Sequence, residues 1–169
     1  PSFSSARLLY QWHSSKDQNG EALAYLQQAI DNEESNATDD AAMLLEMATF
    51  QFKKMNQYGK AVQKAKEAIE KDASVAGKAN LLIGTIWYQV KCGGNEMEQR
   101  AKFWVATDYL QKAKNADPAL AAEADELIRT CRVYFPTTED AFMYDLQDGQ
   151  SFSVSCGGMS ATTTVRTNK

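Results

Sequence analysis

The sequence predicts an all-α chain: antiparallel helical hairpins stacked as a solenoid, followed by a capping helix and a small terminal β-hairpin. Three observations carry that prediction. Alanines recur seven residues apart in three segments: Ala22 and Ala29 in EALAYLQQAID, Ala61 and Ala68 in KAVQKAKEAIE, and Ala106 and Ala113 in WVATDYLQKAK. An amphipathic stretch precedes each of them: SARLLYQWHSS, AAMLLEMATFQFKKM and KANLLIGTIWYQV. The chain ends differently, in SFSVSCGGMSATTTVRTNK, where small polar and apolar residues alternate around Gly157-Gly158.

Seven residues span two helical turns, so each alanine pair lies on one face, where a methyl-sized side chain lets a neighbouring helix backbone come close. These segments read as the second helices of hairpins, and the stretches upstream as the first. In the third of those stretches Leu82, Ile83, Ile86, Trp87 and Val90 recur at helical spacing. After Pro118, PALAAEADELIRTCRVYFP reads as one more helix, with Pro118 in its first turn and Pro136 beyond its end. Its stripe of Ala124, Leu127, Ile128 and Cys131 predicts a cap over the last hairpin, which a solenoid needs because its end unit has no neighbour.

In the tail, a two-residue turn at Gly157-Gly158 pairs Cys156 with Met159, Val154 with Ala161 and Phe152 with Thr163 on one face. A lone hairpin is marginal in water, so this one is expected to pack its apolar face on the cap helix, helped by the preceding AFMYDL. The alternative is an open edge that recruits a strand from another chain. The predicted organisation is a helical repeat domain over 1–136, with hairpins at about 4–34, 39–72 and 75–116 and a cap helix at 118–134. A C-terminal tail over 137–169 then carries the β-hairpin at 151–165.

Composition excludes several classes. The chain has 169 residues, 44% hydrophobic and 24% charged, which is enough apolar material for a core and too little charge for a disordered segment. Its longest apolar run, Leu81 to Val90, falls short of the roughly 20 residues of a membrane helix. A net charge of -4 with Lys and Glu intermixed provides no stripe for phosphates, so nucleic acid is not an expected partner. Cys92, Cys131 and Cys156 cannot all pair within one chain and match no zinc spacing. Free thiols are the expectation, with a Cys92–Cys131 disulfide as the alternative. The sequence starts at Pro1 with no leader, so a removed signal peptide and a trimmed chain both fit, and the compartment stays open.

No constellation points to catalysis, a cofactor or a metal. His13 is the only histidine and shares a face with Tyr10, which suits packing better than proton transfer. The chain has no GxSxG elbow, phosphate loop or dinucleotide fingerprint. A glycine-flanked thiol at Cys92 or Cys156 leaves a cysteine-dependent enzyme as the remotest reading. Glu33, Glu34, Asp39 and Asp40 crowd the first linker without a calcium-loop glycine, and read as a solvated segment in which Thr38 or Asp39 caps the next helix.

Over roughly residues 4 to 135 the pattern resembles the tetratricopeptide repeat (TPR) family, with its small residue at the helix crossing, later aromatic, paired alanines and closing proline. The third unit matches best, with Gly84, Trp87, Ala106, Ala113 and Pro118. The second has Phe52, Tyr58, Ala61 and Ala68, with Thr49 and Ala73 replacing glycine and proline; the first has Tyr10 at the small position and His13 at the aromatic one. Ala22 to Ala61 is 39 residues and Ala61 to Ala106 is 45, which places insertions in NEESNATDD and CGGNEMEQRA.

The resemblance implies a non-catalytic scaffold that binds a peptide or partner segment in a concave groove lined by the first helices. Carried over by position, that groove is Arg7 and Gln11, then Glu46, Phe50 and Lys53, then Lys78, Leu81, Thr85 and Tyr88, and finally Asp125, Arg129 and Arg132 on the cap helix. Phe50 and Tyr88 would supply apolar and stacking surface. The lysine and asparagine clamp by which some relatives hold a carboxyl-terminal tail is absent from this set. The stretch DAFMYDLQDGQSFSVSCGGMSATTTVRTNK also resembles the ends of repeat proteins from the Bacteroides group, which favours an exported or cell-envelope location over a cytoplasmic one. The alternative role is a cell-envelope assembly component that contacts partners, or itself, through the C-terminal hairpin.

Overall fold

The computed structural model describes residues 2–169; Pro1 lies outside the described residues. Its backbone contacts divide into two compact units, residues 1–79 and 80–169, with the boundary inside the fifth helix.

The first unit holds α1 (Phe3–Ser15), α2 (Asn19–Asp31), α3 (Ala37–Met55), α4 (Tyr58–Lys71) and the start of α5 (Ala76–Gln89). The predicted pairing of first and second helices is present. Ala22, Ala29, Ala61 and Ala68 are fully buried, as close helix contact on the alanine face requires. Tyr10, Leu26, Met43, Met47 and Phe50 form the core of the first hairpin and its contact with α3. His13 fills the aromatic position of its helix: its ring stacks on Tyr25 at 5.1 Å and its Nδ1 lies 2.7 Å from Gln18 Oε1.

Local chemistry sets the ends of these helices. Asn36, and not Thr38 or Asp39, caps α3, its side chain accepting the Asp39 N–H at 2.8 Å. The insertion NEESNATDD thus shrinks to five residues, 32–36, between helices, and Asp39 and Asp40 fall in the first turn, where the helix dipole favours negative charge. Asn56 ends α3 in the left-handed region at φ 53°, with its N–H returned to the Gln51 carbonyl.

The second unit holds the rest of α5, α6 (Glu96–Ala116), α7 (Ala121–Val133), α8 (Thr138–Phe142), β1 (Ser151–Cys156) and β2 (Met159–Thr164). Gly84 is the crossing residue between α5 and α6: a Cβ there would lie 2.8 Å from Leu110 Cγ and 3.2 Å from the Ala106 carbonyl oxygen. Asn95 caps α6 by accepting the Glu98 N–H at 2.9 Å. Six of the ten residues of the insertion CGGNEMEQRA are therefore the first turns of a long α6 rather than loop. The expected single helix after Pro118 opens with a 3-10 turn, Pro118–Leu120, capped by Asp117, and α7 follows with Ala124, Ile128 and Cys131 buried.

The terminal hairpin has the register that alternation predicts: Cys156 opposite Met159, Val154 opposite Ala161 and Phe152 opposite Thr163. Gly157 and Gly158 both take positive φ, 58° and 78°, which a two-residue primed turn demands. Its docking differs from the expectation. The apolar face lies on α6 and not on the cap helix, with Trp104 edge-on to Phe152 at 5.5 Å between ring centroids. The residues after β2 reach the end of α7, where Asn168 Nδ2 donates to the Arg132 carbonyl at 2.7 Å. AFMYDL helps less than expected: Ala141 and Leu146 are buried, whereas Phe142 and Met143 are 69% and 82% exposed.

A disulfide joins Cys92 to Cys156, overturning both the expectation of free thiols and the alternative Cys92–Cys131 pairing. The reason is the docking on α6, which brings the hairpin tip to the α5–α6 turn and leaves the two Cα atoms 5.1 Å apart. Cys131 is the free cysteine, fully buried on α7.

Candidate functional site

The groove positions divide between the two units. In the first unit, Arg7 and Gln11 are exposed one helical turn apart on α1 and, with Ser4 and Leu8, line a shallow concavity of about 300 Å³. Lys53 is exposed on α3. Glu46 and Phe50 lie differently. Phe50 is only 5% exposed, packed edge-on against Tyr10 with 6.0 Å between centroids. Glu46, half-buried, lies near Tyr10, where its carboxylate raises the pKa of the hydroxyl.

Phe50 is therefore a core residue and offers no surface to a partner. Tyr10 accounts for this: its ring packs against Phe50 in the core that joins the first hairpin to α3, which draws the Phe50 position into the interior. Burial, with the Glu46 carboxylate second, pushes the Tyr10 hydroxyl up to about 12.

In the second unit, Leu81, Thr85 and Tyr88 are half-buried along α5, and Thr85 Oγ1 donates to the Leu81 carbonyl at 2.8 Å. Tyr88 meets Phe103 edge-on at 5.7 Å, and Phe103 stacks on Tyr134 at 4.5 Å. Lys78, on the first turn of α5 and so still within the first unit, is exposed. On α7, Asp125 pairs with Lys114 at 2.7 Å and Arg129 with Glu126 at 2.6 Å, so both charges are met within the chain, while Arg132 is exposed.

The sulfurs provide no ready nucleophile. Cys92 and Cys156 are joined, and burial pushes the Cys131 thiol up to about 11 against the opposing effects of Thr107 and Lys102. Lys102 is itself lowered by burial, and its Nζ donates to the Val90 carbonyl at 2.5 Å. Among the described residues no group of His, Cys, Asp and Glu is arranged to hold a metal ion, and no helix is long and apolar enough to cross a membrane.

Sequence reasoning missed a cavity of about 320 Å³ in the second unit, where the start of α6 (Asn95, Met97, Glu98), Tyr144 and Leu146 meet strand β1. Its walls come from segments more than forty residues apart, and only the docking of the hairpin brings them together. The open strand edge beside it was legible, because SFSVSC carries neither charge nor proline.

No protein-family model matches the chain, and no curated protein sequence matches it. Among solved structures it is similar to the TPR2B domain of yeast Sti1 in its pHsp70 complex, at 21% identity and a TM-score of 0.56, covering 76% of this chain and 94% of that one. The fold of the chain is TPR-like, a set of antiparallel helical hairpins to which a C-terminal antiparallel β-hairpin has been added.

Proposed function

We propose that the chain is a non-catalytic protein-interaction scaffold that binds a peptide or partner segment along the first-helix faces of its hairpins. The TPR-like fold carries this reading: the similar TPR2B domain occurs in a pHsp70 complex, and helical hairpins of this kind commonly present their first helices to a partner. Exposed Arg7, Gln11, Lys53, Lys78 and Arg132 support it, since long donor-bearing side chains suit carboxylates and main-chain carbonyls. With Phe50 internal, Leu81 and Tyr88 are the apolar contributors, so recognition is chiefly polar. The Cys92–Cys156 disulfide supports an oxidising location, exported or in the cell envelope, because such bonds persist where thiols are not kept reduced.

Site-specific photo-crosslinking tests the reading. A crosslinker placed at Arg7 or Lys53 is expected to capture a partner from the native host that one placed at Gln63, exposed on the second helix α4, does not. Equal capture from all three positions refutes the assignment of the surface.

A further inference from the structure

The terminal hairpin forms a two-stranded sheet, so β1 and β2 each have one free edge. Because Cys156 and Met159 flank a two-residue turn, they form a hydrogen-bonded pair, and so do the pairs two and four residues further along. The Val165 N–H donation to the Gln150 carbonyl at 2.9 Å keeps the same parity. The N–H and C=O groups of Ser151, Ser153 and Ser155 therefore point away from β2, and among the described residues no backbone group takes them up. Proteins usually blunt such an edge with a charge, a proline or a bulge. Ser151–Cys156 has neither charge nor proline, and its pairing with β2 runs unbroken.

The edge opens onto the cavity of about 320 Å³, walled by Met97, Leu146, Phe152 and Val154, with Tyr144 beside it and Glu98 at its rim. Glu96 in the same helical turn is paired with Arg100 at 2.9 Å, whereas no cation pairs with Glu98 among the described residues.

We propose that β1 accepts an extended peptide segment as a third strand, seating an aliphatic side chain in the cavity and a Lys or Arg two residues away against Glu98. Main-chain pairing to the three serine positions supplies the affinity, and the cavity with its single acidic rim supplies the selectivity. Residues two apart on a strand share a face, which fixes the aliphatic-x-basic spacing. A second copy of this chain fits less well, since SFSVSC brings no cation and its own Glu98 would face the first. This site lies apart from the first-helix faces and stands or falls separately from them.

The test pans a phage-displayed library of random short peptides against the full chain, then measures the winners against two variants. Enrichment of alternating sequences with an aliphatic-x-Lys/Arg core is expected. Ser153→Pro removes an outward N–H without touching the pairing to β2, and should weaken binding of a winner by about tenfold. Glu98→Lys leaves the strand intact and should turn the selection from basic to acidic residues, with a loss of about threefold for the original winner. Three outcomes each overturn the proposal: no enriched pattern, winners indifferent to both variants, or a wild-type dimer in sedimentation that Ser153→Pro abolishes.

Discussion

Trp104 and Arg166 exchange hydrogen bonds: the indole N–H donates to the Arg166 carbonyl at 2.8 Å, and the Arg166 guanidinium donates back to the Trp104 carbonyl at 3.1 Å. The same guanidinium forms an ion pair with Asp108, which also accepts from Thr163 Oγ1 at 2.5 Å. Residues one turn apart on α6 thus hold the chain just after β2. The hairpin, marginal alone, gains its order from this attachment.

Replacing Arg166 with Ala removes the attachment and leaves the partly buried Asp108 carboxylate without its cation. A loss of about 1–3 kcal/mol is expected in urea unfolding, with the hairpin amides exchanging before those of α6 in hydrogen exchange. Uniform exchange across the second unit would show that the hairpin is held by other means.

The Cys92–Cys156 bond closes a loop with a sequence separation of 64, so breaking it should cost about 2–4 kcal/mol through the added freedom of the unfolded chain. Thiol titration of the denatured, unreduced protein should find Cys131 alone. Cys156→Ser should lower the melting temperature and abolish its dependence on reductant; three titratable thiols would contradict the pairing.

Gly157 serves two purposes. Its φ is 58°, and a Cβ placed on it would fall 2.6 Å from Val90 Cγ2. Gly157→Val therefore meets both backbone strain and a clash, and a loss of about 2–4 kcal/mol is expected. Gly158→Ala meets only the strain, because nothing lies within 4 Å, and should cost about half as much. Thermal denaturation of the two variants gives the ordering.

Tyr10 predicts an alkaline dependence. Its pKa rises from 10.0 in the unfolded chain to about 12 in the fold, chiefly by burial. The folded state therefore holds the proton more tightly, and the stability linked to it is complete below pH 10 and is lost as pH climbs towards 12. Tyr10→Phe should flatten that part of the profile relative to wild type, measured as urea midpoints across the window. Phe50→Ala should cost about 3–4 kcal/mol at neutral pH, the loss expected of a core aromatic and not of a binding residue.

The hairpins were legible because each imposes a local pattern. Alanines two turns apart, Gly84 at the α5–α6 crossing and Gly157-Gly158 in the turn each satisfy a backbone requirement that neighbouring residues in the chain already define. The wall position at Phe50 was not legible, because its exposure depends on the size of the side chain at Tyr10, forty residues away. Asn36 as the cap of α3 is legible in the sequence, since Asn precedes the first helical residue and Asp39 follows at the spacing of a capped N–H.

By itself the sequence determined that the chain is helical, that its helices pair in TPR-like fashion and that it ends in a hairpin of one register. Those properties follow from periodicity and turn chemistry, which act over a few residues. Only the tertiary structure decided that the hairpin lies on α6, that Cys156 therefore meets Cys92, and that a cavity opens beside the free edge of β1. Such contacts join residues sixty or so positions apart, and their geometry comes from the packing of whole faces, which no local pattern encodes.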